Sequence, residues 1–444
     1  MALEYQWRRS VGGTPTPISC ATANTYTLVE DDEGKMIDCA VSNGGVTAYA
    51  EAVGPVEPAR RYPTLLDVPA SQFPAISQSQ PALKTPVQFG DLETVVVRIN
   101  DDAQAHHYAT WAAFNADQSM VLLWGSGGTI LNVADWSTVR TGFDPGFVGC
   151  FWDPVDPDII WGHDGFGGGN GIYRYSVSAN DDTRYAVPAA SGSYNGISIG
   201  AGEGSISADG KYLVLVGTKS GSDDRFVIVW DAEANDVAGT LTLSGWGADL
   251  DNAHISPSGD YIVIASTRSG ERGHRIYDRA TLSFQRAYTG GSGTNGSNGF
   301  TGHMDIGYRT DGSECMVRQR NDGGLVSVRL SDGNEQLEIA AAAMSWGNHI
   351  SCRNIHRPGY AYVSMMYASD QTSKYLYREI LAVKLDGSGK IERFGQAMFP
   401  ANTGYSLQAK ATVSPYGDIV LMSSGWGTTT PREYVMYVPE VMPA

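Results

Sequence analysis

The chain is poor in cysteine and in long apolar runs. Its 444 residues include five cysteines, none of them in a CxxC pair, so neither a zinc ribbon nor a dithiol redox motif is indicated. No apolar run approaches the length of about 18 residues that crosses a bilayer. The N-terminal MALEYQWRRS has no apolar stretch of the kind found in a secretory signal. We therefore expect neither a signal peptide nor membrane insertion.

Positive charge is also scarce. Lysine and arginine number 31 against 48 aspartates and glutamates, which gives a net charge of −17 at pH 7. A surface of this sign repels a phosphate backbone, so nucleic acid is excluded as a partner. Cys20 and Cys39 are candidates for a disulfide, but nothing in the sequence indicates an oxidising compartment, and their state is left open.

Glycine and aromatic residues are plentiful instead. The chain has 53 glycines and 10% aromatic residues, and long helical patterns are hard to find. This combination is typical of many short strands joined by turns. The sequence therefore predicts an all-β protein.

One sequence pattern recurs seven times at intervals of about 40–58 residues, a spacing typical of β-propeller blades. A polar turn leads directly into an alternating apolar strand, as in HISPSGDYIVIAST (254–267). The turns are FNADQS (114–119), WDPVDPD (152–158), ISADGKY (206–212), ISPSGDY (255–261), YRTDGSE (308–314), HRPGYAY (356–362) and VSPYGDI (413–419). We predict a seven-bladed propeller over residues 91–444, closed by pairing of ETVVVRI (93–99) with REYVMYV (432–438).

Two further segments precede this repeat. Residues 1–52 resemble the C-terminal two-thirds of a bacterial immunoglobulin-like module, which implies a small β-sandwich. The matching residues are Trp7, Tyr26, Leu28, Asp32, Gly34, Ile37, Cys39, Val41 and Asn43. The first strands of that pattern are missing, so the module either stands alone or is completed by a neighbouring chain. Residues 53–90 are rich in proline and predict an extended connector.

Polar residues about 9–11 positions ahead of the glycine near the end of each turn (Gln118 in the first repeat) should meet at one mouth of the propeller channel. They are His107, Asp249 or Asp251, His303, His349 and Gln408. Imidazoles that converge with an amide or carboxylate oxygen suit a borderline divalent metal ion. The alternative is that each histidine only makes hydrogen bonds between strands.

The later repeats resemble the oligogalacturonate-lyase-like propellers. The runs that carry the likeness are GHMDIGYRTDG, GNHISCRNIHRPGYAYVS and LQAKATVSPYGDIVLMSSGWG. The resemblance implies a divalent metal held by His303, His349 and Gln408. His107 would be a fourth ligand, by its equivalent position ahead of the turn and not by a matching motif. The resemblance also implies cleavage of uronate glycans by β-elimination. Such a reaction needs a group that meets the carboxylate or acts as base, for which Arg353 and Arg318 are candidates. Tyr308 and Tyr405 are candidates for donation to the leaving oxygen.

Two functions follow from these features. The first is a phage-type virion or tail-associated protein, located on a virion or an extracellular surface. Its N-terminal module would dock to other assembly proteins, and its propeller would contact a host-surface glycan or protein. The second is a metal-dependent polysaccharide lyase, although the acidic chain shows none of that family's dense basic cleft. A propeller scaffold without a ligand is the third option.

Overall fold

The computed structural model divides the chain into two compact units, Met1–Arg61 and Tyr62–Ala444. The residues it describes are 3–11, 14–32, 35–43, 46–50, 52, 60–101, 106–124, 128–142, 148–165, 169–188, 194–269, 271–288, 303–320, 322–344, 349–365, 374–398 and 407–439. Strands dominate both units. Among these residues, no helix is both long enough and apolar enough to cross a membrane.

The first unit contains one antiparallel sheet in the order β2-β1-β3-β4. Its elements are β1 (Glu4–Ser10), β2 (Thr16–Pro17), the short 3-10 turn η1 (Glu30–Asp32), β3 (Met36–Asn43) and β4 (Val46–Tyr49). Ile37 and Cys39 of β3 are buried, as the alternation predicts. Cys39 and the exposed Cys20 are not bridged. The immunoglobulin-like resemblance of this unit stays a prediction.

The described part of the second unit contains seven antiparallel sheets, here numbered 1 to 7 in chain order. Three strands precede sheet 1, namely β5 (Leu65–Asp67), β6 (Val87–Gln88) and β7 (Val95–Arg98). Sheet 1 contains β8 (Met120–Leu123), β9 (Thr129–Asn132) and β10 (Thr138–Thr141). Sheet 2 contains β11 (Val148–Trp152), β12 (Ile159–His163), β13 (Gly171–Ser176) and β14 (Asp181–Ala186).

Sheets 3 and 4 have four strands each. Sheet 3 contains β15 (Gly196–Ile199), β16 (Tyr212–Thr218), β17 (Arg225–Asp231) and β18 (Asp236–Leu243), with the 3-10 turn η2 (Gly200–Gly202) after β15. The 3-10 turn η3 (Gly247–Asp249) then leads into sheet 4, with β19 (Leu250–Ile255), β20 (Tyr261–Ser266), β21 (Gly273–Asp278) and β22 (Phe284–Tyr288). In sheets 2 to 7 the first strand is the inner strand, whereas in sheet 1 the segment that ends at Phe114 takes this place and bridges to Val121 of β8.

Sheets 5 to 7 complete the unit. Sheet 5 contains β23 (Met304–Tyr308), β24 (Glu314–Gln319), β25 (Leu325–Arg329) and β26 (Glu335–Ile339). Sheet 6 contains β27 (His349–Ser351), β28 (Tyr360–Ser364), β29 (Glu379–Lys384) and β30 (Lys390–Gln396), with β5 at its edge. Sheet 7 contains β31 (Thr412–Val413), β32 (Ile419–Ser424) and β33 (Arg432–Tyr437), followed by β7 and β6.

The hydrophobic core closes these sheets into a ring. Buried clusters lie between sheets 1 and 2, 2 and 3, 3 and 4, 4 and 5, 5 and 6, and 6 and 7. A further cluster packs Leu421 and Val435 of sheet 7 against Val121 and Leu123 of sheet 1. Each sheet therefore buries both of its faces against neighbours, which is the arrangement of propeller blades. The all-β, propeller-type fold is confirmed.

The predicted closure is also confirmed, because β7 pairs with β33 from Val95↔Tyr437 to Arg98↔Tyr434. The proline-rich residues ahead of β7 are attached to the same ring. β5 pairs with β30, and β6 pairs with β7. The chain thus begins and ends its second unit in sheets 6 and 7.

The recurrent turns have a shared local cause. The side chain of Ser256 accepts a hydrogen bond from the backbone N–H of Tyr261, five residues later, at 3.1 Å. Ser207 does the same for Tyr212 at 2.9 Å. Gly259 has a φ of 79°, a left-handed conformation that favours glycine. These turns set the register of each inner strand relative to the second strand.

Candidate metal centre

Three of the predicted ligands come together at one end of the channel. His349 begins the inner strand of sheet 6, and its Nε2 lies 2.8 Å from Oε1 of Gln408, which precedes the inner strand of sheet 7. The ring of His303, just ahead of the inner strand of sheet 5, stacks on the ring of His349 with centroids 4.4 Å apart. Two imidazoles and an amide oxygen from three consecutive sheets therefore face one another.

Tyr108 and His106 complete this cluster, and both were missed in the sequence. The ring of Tyr108 meets His349 edge-on at 5.3 Å and His303 at 6.3 Å. The Nδ1 atom of His106 lies 2.6 Å from Oε2 of Glu433. Its Nε2 donates a hydrogen bond to the carbonyl oxygen of Lys410 at 2.7 Å. The only signal in the sequence was the run AHHYATW. There His107 was chosen as a metal ligand only because its distance from the turn matches that of the other candidates.

His107 points elsewhere. Its ring stacks on Trp111 with centroids 3.9 Å apart, and its Nδ1 has no hydrogen-bond partner among the described residues. Burial, with added repulsion from His163 and His106, lowers the pKa of His107 to about 3. The structure places this side chain against an indole, away from the other three predicted ligands.

Residues 106–111, here called the crossing segment, contact the inner parts of sheets 3, 5, 6 and 7. His106 binds sheet 7, Tyr108 meets the histidines of sheets 5 and 6, and Thr110 donates from Oγ1 to the carbonyl oxygen of Glu203 at 2.8 Å. The carbonyl oxygen of Trp111 accepts from Thr412 at 3.1 Å. One short segment thus fixes the position of the cluster relative to several sheets.

The donor set fits a divalent metal. Burial, followed by the nearby His303, lowers the pKa of His349 to about 3, so its imidazole is neutral, the form that binds metals. Two ligand atoms at right angles and 2.1 Å from one ion are about 3 Å apart, close to the spacing of His349 Nε2 and Gln408 Oε1. No group of three or more His, Cys, Asp or Glu side chains within the described ranges has metal-binding geometry. The candidate centre therefore depends on the amide oxygen as its third ligand.

Arg318 is buried in sheet 5, where its guanidinium lies 3.4 Å from Nδ1 of His274 in sheet 4, and no carboxylate of the described residues forms an ion pair with it. It lies opposite Met304 in the register of β24 and β23, next to His303 in sequence. Its guanidinium covers the ring of Tyr288 at 4.6 Å, and one terminal nitrogen has no hydrogen-bond partner among the described residues. Burial lowers the pKa of Arg318 to about 10. An uncompensated buried cation of this kind is suited to an anionic ligand.

The other predicted catalytic residues lie further along the inner strands. Arg353 is four residues beyond His349, about 13 Å along an extended chain, and forms an ion pair with Asp305 at 2.6 Å. It lines a recess at the turn end of the channel, together with Phe114, Trp152 and Pro415. The structure therefore does not bring Arg353 to the histidines.

Tyr308 lies at the same turn end, at the opposite end of β23 from His303. It faces Glu314 in register, and burial, followed by the charge of Glu314, raises the pKa of its hydroxyl to about 12. The structure places this phenol about 16 Å along the strand from His303. Tyr405 lies outside the described residues.

Two neighbouring carboxyl groups, Glu203 and Asp251, lie where sheets 3 and 4 meet. Glu203 follows β15, and its Oε2 accepts a hydrogen bond from Asn252 Nδ2 at 2.9 Å. Burial, then the charge of Asp251, raises the pKa of Glu203 to about 8, against the opposing effect of the Asn252 hydrogen bond. Burial also raises the pKa of Asp251. Of the two aspartates predicted here, Asp251 lies beside Glu203, and Asp249 is in η3.

The chain was compared with known proteins. No protein-family model and no curated protein matches it. An oligogalacturonate lyase solved in complex with manganese is similar in structure, with a TM-score of 0.58 and 14% identity over 82% of this chain and 99% of that one. An oligogalacturonate lyase from Vibrio parahaemolyticus has a TM-score of 0.55 and 12% identity over 86% of this chain and 99% of that one. The shared feature is the fold. This chain is a β-propeller.

Proposed function

We propose that the second unit is a metal-dependent lyase that cleaves uronate-containing glycans by β-elimination. The observation that supports this proposal is the grouping of His303, His349 and Gln408, in which the two imidazole rings stack with centroids 4.4 Å apart and Nε2 of His349 lies 2.8 Å from Oε1 of Gln408. The similarity to oligogalacturonate lyases supports it only through the fold, because 12–14% identity does not transfer an activity.

The chemistry of β-elimination matches what the cluster offers. A bound divalent ion supplies positive charge that stabilises the uronate carboxylate as negative charge develops beside it. His303, His349 and Gln408 would hold that ion. His349 is neutral, which is the form of imidazole that binds metals.

Arg318 supplies the second requirement, a group that accepts the proton at C5. Burial makes its neutral guanidine less costly than in water, because the pKa falls to about 10. Its free terminal nitrogen, within the described part of the chain, is where the proton would be received.

The first test is the metal content of the purified protein. We expect about one divalent ion per chain in the wild type after incubation with manganese and removal of free metal. His303→Ala/His349→Ala should lose it, because only one weak ligand remains. His356→Ala is the matched control, since this histidine is exposed and packs on Tyr416 away from the cluster.

The second test is product formation on a panel of uronate polymers, followed by the ultraviolet absorbance of the unsaturated product. Metal binding that is lost in His303→Ala/His349→Ala, together with new absorbance, supports the lyase. A wild type that binds no metal, or that gives no product on any polymer, contradicts it. The virion-associated role and its docking partners stay predictions from the sequence.

A further inference from the structure

The inner strand of sheet 3 contains an insertion that packs against sheet 4. Ile199 pairs with Leu215, and the next paired residue is Ile206, opposite Leu213. The chain therefore advances seven residues while β16 advances two. The residues in excess form η2 and the short stretch up to Gly204, here called the inserted loop (200–204).

Two glycines hold this loop against sheet 4. Gly200 has a φ of 51°, and a Cβ there would collide with the carbonyl oxygen of Ala253 in β19. A Cβ on Gly204 would lie 2.8 Å from the same oxygen. Ala201 adopts a φ of 62°, which is strained for a residue with a side chain. Strain of this kind persists only where the surroundings fix the backbone, so the position of the loop is well determined.

The loop carries Glu203 towards the metal centre. Thr110 of the crossing segment donates to the Glu203 carbonyl oxygen, and Tyr108, two residues earlier, contacts His349 and His303. The backbone of Glu203 is thus linked, through two residues of the crossing segment, to the ring that contacts both histidines.

The Glu203 carboxyl group is fixed and carries no cationic partner among the described residues. Asn252 donates to Oε2, which leaves Oε1 for a ligand. The titratable group that faces it is Asp251 of β19, whereas Thr110 and Asn252 are neutral. Because burial and Asp251 both favour the protonated form, this carboxyl group carries a proton near neutral pH.

We propose that Glu203 is the catalytic acid that protonates the leaving oxygen in the β-elimination. The inference rests on the proposed function. The C5 proton passes to Arg318, its electron pair forms the C4–C5 double bond, and the bond from C4 to the leaving oxygen breaks. That oxygen takes the proton of Glu203, whose carboxylate is reprotonated by water as Arg318 returns its proton to solvent.

The test compares Glu203→Gln with the wild type on two substrates. One is the natural uronate polymer, and the other is a uronide that carries 4-nitrophenol as its leaving group at C4. Loss of a catalytic acid should lower kcat on the polymer about 100-fold or more. The same variant should stay within about threefold of wild type on the nitrophenyl substrate, because this leaving group needs no proton. Glu233→Gln is the matched control, because this glutamate is exposed and pairs with Lys211 at the surface, and it should retain wild-type rates on both.

The pH profile gives an independent readout. The wild-type rate on the polymer should rise with pH as Arg318 loses its proton, and should level off above about pH 8, because Glu203 then loses the proton that it must donate. Glu203→Gln should lack this break, so its rate should keep rising towards about pH 10. Asp251→Asn should move the break to lower pH, because it removes the neighbouring charge. Glu203→Asp should keep a break, which separates a proton donor from a purely structural carboxyl group.

Two results would overturn the inference. The first is an unchanged rate of Glu203→Gln on the polymer, and the second is an equal loss on both substrates in a protein with wild-type metal content and melting temperature. Both leave the lyase proposal standing, since the wild type is active. A wild type that is inactive on every uronate instead removes the proposed function, and the role of Glu203 with it.

Discussion

At the scale of single residues, Arg318 combines a cost in stability with a use in binding. Its side chain is fully buried, and among the described residues no carboxylate compensates its charge. Replacing a buried charge with an apolar side chain of similar length is often neutral or stabilising by about 1–3 kcal/mol. We therefore expect Arg318→Met to melt at or above the wild-type temperature while losing about 100-fold or more in activity.

Thermal melting and steady-state kinetics check this expectation together. Arg353→Met is the matched control, because its partner Asp305 is buried and would be left unpaired. That variant should lose stability by about 3 kcal/mol or more. A large loss of stability in Arg318→Met would mean that the guanidinium is compensated by the protein itself.

The residue scale also shows what could be predicted from the sequence. His303, His349 and Gln408 were selected by their distance from the turns, and the fixed register of the sheets brings them together. Glu203 could not be found in this way, because the inserted loop breaks that register. The glycines of GISIGAGEGSIS, which interrupt a strand pattern, were the one signal that a bulge lies there.

At the scale of elements, β7 closes the ring and is paired on both sides. Val96 is fully buried, lies opposite Met436 in β33 and opposite Val87 in β6, and packs in the core between sheets 6 and 7. Proline here removes a backbone donor and breaks a central strand, at a cost of about 3 kcal/mol or more. We expect Val96→Pro to unfold at a clearly lower temperature or to accumulate as aggregate.

The control for this variant lies on an edge strand. Val139 of β10 is exposed and sits at an irregularity between the pairs of Thr138 and Arg140, where proline is tolerated. Val139→Pro should stay within about 1 kcal/mol of wild type by chemical denaturation. Equal effects of the two prolines would show that β7 does not close the ring. This closure was predictable because an apolar strand without a turn of its own preceded the first repeat.

At the scale of the whole molecule, buried neutral histidines connect stability to pH. Burial, as the leading cause, lowers the pKa of His107 to about 3, of His163 to about 4, of His254 to about 3, and of His274 well below its usual value. Unfolded histidine takes up a proton near pH 6.5, whereas these four do not in the folded state. The stability they contribute is therefore complete above pH 6.5 and is lost as the pH falls below it.

We expect the melting temperature in the presence of a chelator to fall by several degrees between pH 7 and pH 5. Each of these histidines contributes up to about 2 kcal/mol over that interval. Glu203 changes the stability in the opposite direction between pH 4.5 and 8, because its pKa is raised in the folded state. The four histidines outweigh this single group. The slope should flatten in His254→Leu, since both ring nitrogens of this fully buried residue lack partners among the described residues. His356 is exposed, so His356→Ala should keep the wild-type slope. A melting temperature that does not fall at pH 5 would mean that water or a charged group reaches the four histidines in the folded protein.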